Sequence, residues 1–215
     1  ILGSKILSEK VEAVRQFRLA SKAKTTNGYA KVPQLFAQIT QPDDTNYLII
    51  PSVSSERRKY VPIGFEIAET IASNAVQIVP NATLYHFGVL TSNAHMAWMR
   101  AVCGRLEMRY RYSKEIVYNT FPWPKPTDAQ KARIEKTAQA ILDARALYPD
   151  CSFAEMYGEK MYLFPEILKA HQDNDRAVMD AYGFIKGTAA RTSESACVAE
   201  LMKLYQQKVS AAQSK

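Results

Sequence analysis

The chain has 215 residues, 47% of them hydrophobic and 23% charged, a balance ordinary for a globular protein that supports a buried core of one or two domains. A net charge of +7 leans toward polyanionic partners, although the clustering of charge matters more than its total. Three scattered cysteines (Cys103, Cys151, Cys197) without a Cys-x-x-Cys pair argue against a zinc site or disulfide framework and for a reducing cytoplasmic setting; no apolar run is long enough to span a membrane.

The opening ILGSKILSEK lacks a methionine and reads as part of a longer polypeptide. Residues 5–22 predict an amphipathic helix with Ile6, Val11, Val14, Phe17 and Leu19 on one side and Lys10, Arg15, Arg18 and Lys22 on another. Lys5 to Lys24 nets +4, which suits a solvated face or added phosphate contacts. Asn27-Gly28 marks a turn. Strands are expected at Leu35–Ile39, Tyr47–Pro51 and Tyr60–Ile67, with turns at Pro42-Asp43-Asp44 and Ser54-Ser55-Glu56. The loop after the second strand gathers Ser55, Arg57, Arg58 and Lys59, hydroxyl and cationic donors of the kind that bind phosphate; a solvated turn explains them equally. Ala75–Val79 and Thr83–Val89 are apolar enough for buried strands, which makes His86 a satisfied core residue. His95 has no acid or cysteine at metal-ligand spacing.

The densest chemistry follows. Thr91 or Ser92 can cap a helix over 92–103, with Met96, Met99, Val102 and Cys103 at helical spacing, Trp98 packed on the sheet and Gly104 as its stop. Leu106 to Tyr118 is rich in β-branched and aromatic residues and predicts one strand, projecting Glu107, Arg109 and Arg111 from one face and Leu106, Met108, Tyr110 and Tyr112 from the other. From Arg100 to Lys114 the chain carries Arg100, Arg105, Arg109, Arg111 and Lys114 against Glu107 alone, a net +4 that attracts phosphate. Arginine suits bidentate contact with guanine and glutamate can accept from the cytosine amino group, so Glu107, Arg109 and Arg111 are candidate base readers; Arg100, Arg105 and Lys114 join the loop residues as candidate phosphate ligands. The competing reading is a solvated strand face over a tyrosine-rich packing face.

FPWPKP at 121–126 closes the first part as a stiff linker. Beyond it the chain turns helical: a helix capped by Thr127 or Asp128 runs to Leu147 with a stripe of Ile134, Ala138, Ile141, Leu142 and Ala146. Phe164–His171 follows with Pro165 near its start, then a segment capped by Asp173 or Asn174 that ends at Gly183, then a last helix from Ser193 or Ser195. The expected fold class is α+β: a sheet-containing recognition domain over residues 1–125 and a helical domain over 126–215.

HFGVLTSNAHMAWMRAVCGRL, followed by YRYS and VYNTFPWP, resembles the target-recognition region of the MmeI-like (type IIL) restriction-modification enzymes and related adenine-specific DNA methyltransferases. SSERRKYVPIG at 54–64 and LKAHQDNDRAVMDAYGF at 168–184 resemble other segments of that family. The resemblance implies a double-stranded DNA recognition module that follows a methyltransferase domain on one polypeptide, with positions 107 and 109 helping to choose the accepted base. The chain itself has no glycine-rich cofactor loop, no Asn-Pro-Pro-Tyr stretch and no nuclease cluster. No catalytic, metal or cofactor residue is therefore assigned here, and S-adenosylmethionine, with magnesium for any cleavage, would belong to the parent. A fragment of a type I specificity subunit and a protein-interaction domain with a basic patch are the alternatives.

Overall fold

The computed structural model describes residues 4–37, 42 and 44–213. Contacts divide the chain into two compact units, Ile1–Thr40 and Gln41–Lys215.

The first unit holds α1 (Lys5–Leu19), α2 (Lys24–Gly28) and a 3-10 turn at Tyr29–Lys31. Asn27-Gly28 therefore ends a short helix, where a turn was expected. Arg18 donates to the carbonyls of Tyr29, Val32 and Leu35 at 2.9, 3.0 and 2.8 Å, and so fastens the chain after α2 to α1. That guanidinium serves the unit's own backbone. Leu35–Ala37 form no strand, and the rest of the strand expected to Ile39 lies outside the described residues, as does Asp43 of the expected turn.

In the second unit β1 (Tyr47–Pro51) is central to an antiparallel sheet ordered β3-β1-β4, with β3 at Gly64–Glu66 and β4 at Val76–Pro80. Leu48 and Ile50 alternate into the core, both fully buried, as a half-covered strand requires. Of the strand expected over Tyr60–Ile67 only β3 pairs. Thr83–Val89 is a helix, α3 (Leu84–Leu90), contrary to the strand expected there. Its start explains the reversal: Thr83 is extended, and the His86 ring Nδ1 accepts from the Thr83 backbone N–H at 3.1 Å, a cap that a strand could not use. His86 is thus a capping residue.

Ser92 caps α4 (Asn93–Val102), whose residues from Ala94 to Met99 are all buried. Helices α5 (Asp128–Ala146) and α7 (Pro165–Ala181) pack on one another and on α3, with α6 (Phe153–Met156) between them; α8 (Ala189–Thr192) and α9 (Glu194–Gln213) complete the unit. At Gly88 the α3–α5 approach is so close that a Cβ would stand 2.7 Å from Ile134 Cγ2. The predicted break at Asp173 or Asn174 is absent because the Asn174 side chain is inside, donating to the Gly88 carbonyl at 2.7 Å and accepting from Thr137 at 3.0 Å. A cap would leave those groups unpaired. FPWPKP does not lead away: Phe121 is buried between His95 and Trp98, and Tyr182 donates to the Pro122 carbonyl at 3.0 Å. Residues on both sides of position 125 share one hydrophobic core. The architecture is α+β, with small antiparallel sheets against helices.

Candidate nucleic-acid interface

The strand predicted over Leu106–Tyr118 is a hairpin followed by a helical turn. Strands β5 (Gly104–Leu106) and β6 (Arg109–Arg111) pair antiparallel through a two-residue turn at Glu107-Met108, and Lys114–Tyr118 is a single π turn. Gly104 opens β5 and does not end α4 in a left-handed conformation; Cys103 is the extended C-cap. Glu107 sits at φ 57°, the left-handed region that two-residue hairpins demand and that Gly, Asn or Asp usually supply. It is therefore not a strand-face residue two steps from Arg109. It reaches the same neighbourhood from the turn, accepting from Arg109 Nη2 at 2.8 Å.

Pairing also re-sorts the faces. Arg109 lies opposite Leu106 and Arg111 opposite Gly104, so these share a face, while Arg105 lies opposite Tyr110 on the other. Leu106 and Met108, expected to pack inward, are exposed at the tip. Tyr110 and Tyr112 do pack inward, as expected. The Arg105 guanidinium sits over the Tyr110 ring, 4.1 Å from its centre, and donates to the Met108 carbonyl at 3.0 Å, which ties β5 to the turn. Tyr112 anchors its base: the hydroxyl donates to His95 Nε2 at 3.1 Å, while His95 Nδ1 donates to the Leu90 carbonyl at 2.7 Å. Burial lowers the His95 pKa to about 4, so the ring is neutral and both nitrogens are satisfied.

A third strand brings the second basic segment here. β2 (Val53–Ser54) pairs with the other edge of β6, Val53 opposite Arg111 and Ser54 opposite Tyr110. Because the strands run antiparallel, the loop after Ser54 continues toward the hairpin turn. Ser55–Lys59 and the ribbon, about fifty residues apart in sequence, thus share one end of a three-stranded sheet.

The structure separates the candidate cations. Arg58 and Arg111 have no side-chain partner among the described residues, and Lys59 lies 5.4 Å from the centre of the Tyr60 ring. Lys114 is exposed, 3.7 Å from Glu115. Arg57 pairs with Glu159 at 2.9 Å in an exposed contact, and Ser55 Oγ accepts from the Arg57 backbone N–H at 3.2 Å, closing the turn. Arg100 is engaged within the protein: it binds both Glu194 carboxylate oxygens at 2.8 Å, donates to the Lys59 carbonyl at 3.2 Å and is only 16% exposed. Its geometry is that of a brace.

The brace adjoins a set of groups to which the sequence assigned no joint role. The Tyr60 hydroxyl donates to Asp175 Oδ2 at 2.6 Å, and Asp175 Oδ1 accepts from the Asn93 backbone N–H at 2.7 Å. The Tyr60 ring stacks on His171 at 4.2 Å, and His171 Nε2 meets the Tyr157 hydroxyl at 2.8 Å. Arg145, where Ala146 was expected to face inward, donates to Tyr157 at 2.7 Å and to the Ile63 carbonyl at 2.8 Å. Tyr60–Asp175, Asn93–Asp175 and Arg145–Ile63 join residues more than eighty positions apart, a separation that leaves no periodic trace. Among the described residues no group of three His, Cys, Asp or Glu side chains is placed to hold a metal, and no helix is long and apolar enough to cross a membrane.

Comparison with known proteins gives this geometry its family. Residues 1–125 match the family described as MmeI, target recognition domain, and residues 126–212 match MmeI, C-terminal domain. DNA methyltransferase A of Bacillus subtilis (strain 168) is 36% identical over 208 residues, which cover 96% of this chain and 23% of that protein. The solved structure of the type IIL restriction-modification enzyme MmeI in complex with DNA superposes with a TM-score of 0.85 at 46% identity, over 95% of this chain and 26% of MmeI. The chain thus spans about a quarter of each relative. With both family matches running in order along nearly its whole length, the chain belongs to the MmeI family, as its target recognition domain followed by its C-terminal domain.

Proposed function

We propose that this chain is the part of a restriction-modification DNA methyltransferase that selects the double-stranded DNA site, and that a methyltransferase domain elsewhere on the same polypeptide does the chemistry. The observation that carries this reading is the exposed two-stranded ribbon with Arg105, Arg109 and Arg111, set beside the basic loop on one sheet. A major groove about 12 Å wide admits a two-stranded ribbon. Arg58, Lys59 and Lys114 then contact phosphates, which fix register but carry no sequence information. Arg111 and the Glu107–Arg109 pair meet base edges: the ion pair presents an acceptor and a donor side by side, suited to cytosine and guanine of one pair. Leu106 and Met108 offer apolar surface at the same tip. In the proposed parent the modified base is adenine and the methyl donor is S-adenosylmethionine, with magnesium for any cleavage; no residue of this chain is assigned to either group.

The test is anisotropy titration with labelled duplex DNA over a series of salt concentrations, followed by selection from a randomised duplex library. Binding should weaken linearly in log salt, and combining Glu107→Lys with Arg109→Asp should reverse the preferred pair at one position. Binding indifferent to salt, or an unaltered preference in a double variant that still binds, would overturn the reading.

A further inference from the structure

We propose that Asp175 is a positioning residue for DNA recognition, a single partly buried carboxylate that sets the basic loop and the ribbon-bearing helix relative to one another. The inference rests on the proposed function and adds a residue to it from outside the recognition-domain match. The two Asp175 oxygens take different elements: Oδ2 holds the Tyr60 hydroxyl at the end of the loop, and Oδ1 holds the backbone N–H of Asn93, the first residue of α4. Helix α4 runs into β5, so its N-terminus and the ribbon are the two ends of one short rigid piece. Moving either bond shifts the cations of the loop against those of the ribbon. A second clamp, Glu194 through Arg100 to the Lys59 carbonyl, acts on the neighbouring loop residue from α9. The loop and ribbon lie in residues matching the target recognition domain, and both clamping carboxylates lie in residues matching the C-terminal domain. The second family segment therefore completes the reading surface of the first.

The experiment is a double-mutant cycle in the full chain between Asp175→Ala and Arg58→Ala, read as affinity and salt slope on a short mixed-sequence duplex. Asp175 and Arg58 have no contact with one another, so any coupling passes through the placement of the loop. Asp175→Ala should weaken binding roughly tenfold and lower the salt slope by about one phosphate contact. With Arg58 already removed it should cost less than about twofold, because the contact it positions is gone. Asp175→Asn, which can accept from Asn93 and donate to the Tyr60 oxygen, should restore most of the affinity. If Asp175→Ala does not fold cooperatively, Tyr60→Phe serves in its place, since it removes one hydroxyl and keeps the ring on His171. Additive losses, or an unchanged slope in variants that bind more weakly, would overturn the positioning role while leaving DNA recognition intact. A wild-type chain that shows no salt-dependent binding removes both readings together.

Discussion

The exposed ribbon at Gly104–Arg111 and the polar groups buried beneath it use the same residue types to opposite ends. On the ribbon, charges meet water: the Glu107–Arg109 pair is largely exposed and contributes about 0–1 kcal/mol, so its side chains can change identity with little effect on folding. Beneath it, polar atoms are withdrawn from water and most take a protein partner, as in Tyr60–Asp175–Asn93 and His95–Tyr112, while Trp98 Nε1, Arg145 Nη2 and His171 Nδ1 are buried without one. Variation is cheap where solvent can replace a lost partner and costly where it cannot. A recognition module needs both, a surface free to vary on a frame that is not.

The hardest blow to the frame is Arg145→Ala. It removes a buried guanidinium packed against Phe87, Phe153 and Tyr157 and leaves the Ile63 carbonyl without its donor. Cavity and lost hydrogen bonds together should cost about 3–5 kcal/mol, or roughly 10 °C in melting temperature by calorimetry. A melting point near that of wild type would show that the buried network is not what holds the frame.

Gly88→Ala attacks the same frame without touching a charge. The added methyl meets Ile134 at 2.7 Å and Ala138 and Asn174 at 3.1 Å, so α3 and α5 must separate, at about 1–3 kcal/mol in urea denaturation. The ribbon's affinity for DNA, measured on the folded fraction, should change less than the stability does.

Acid sharpens the contrast, because the buried groups titrate in opposing directions. Burial lowers His95 from 6.5 to about 4 and lowers His171 also, so the unfolded chain binds protons there that the folded chain refuses. Stability from His95 is present above about pH 6.5 and is lost as pH falls toward 4, and the depressed His171 adds a loss of the same sign on acidification. Asp175 opposes them: burial raises it from 3.8 to about 6, so its contribution is present below 3.8 and lost as pH rises through about 6. Two imidazoles outweigh one carboxyl, and urea midpoints should fall on acidification. Asp175→Asn removes the opposing group and should steepen that fall by about 1–2 kcal/mol between neutrality and pH 4.5, an order-of-magnitude figure. A variant whose acid limb parallels wild type would contradict the buried placement of the carboxyl.

The smallest effect on stability is expected on the ribbon. Arg111→Ala should change the unfolding free energy by no more than about 0.5 kcal/mol while weakening DNA binding, a pairing of measurements that separates surface from frame. A stability loss as large as that of Gly88→Ala would place Arg111 in the frame instead.

Legibility in the sequence followed the same division. β1 was readable to the residue at Tyr47–Pro51, because a short apolar run of Tyr, Leu and Ile is bounded by turn residues before it and by Pro51. Thr127, one of two candidate caps with Asp128, marked the start of α5, and the structure completes the cap as a box with Gln130. The ribbon's residues are recognisable as chemistry but not as shape: Glu107 carries no turn signature, so the sequence reads straight through the reversal between Leu106 and Arg109. α3 reads as a strand in the sequence because its seven residues are too short and too apolar for periodicity to decide.

By itself, then, the order of residues determined the family, the α+β class, the basic character of 54–59 and 100–114, and the helices whose caps and stripes are local. Only the tertiary structure decided that these two basic segments share one sheet end, that Arg100 braces the loop from within, and that Asp175 holds both of its neighbours. The physical reason is range. Caps, turns and amphipathic faces are written by residues within a turn or two of one another, whereas the partner of a buried charge is chosen by whichever chain desolvates it, and here that chain arrives from about eighty to one hundred and fifteen residues away.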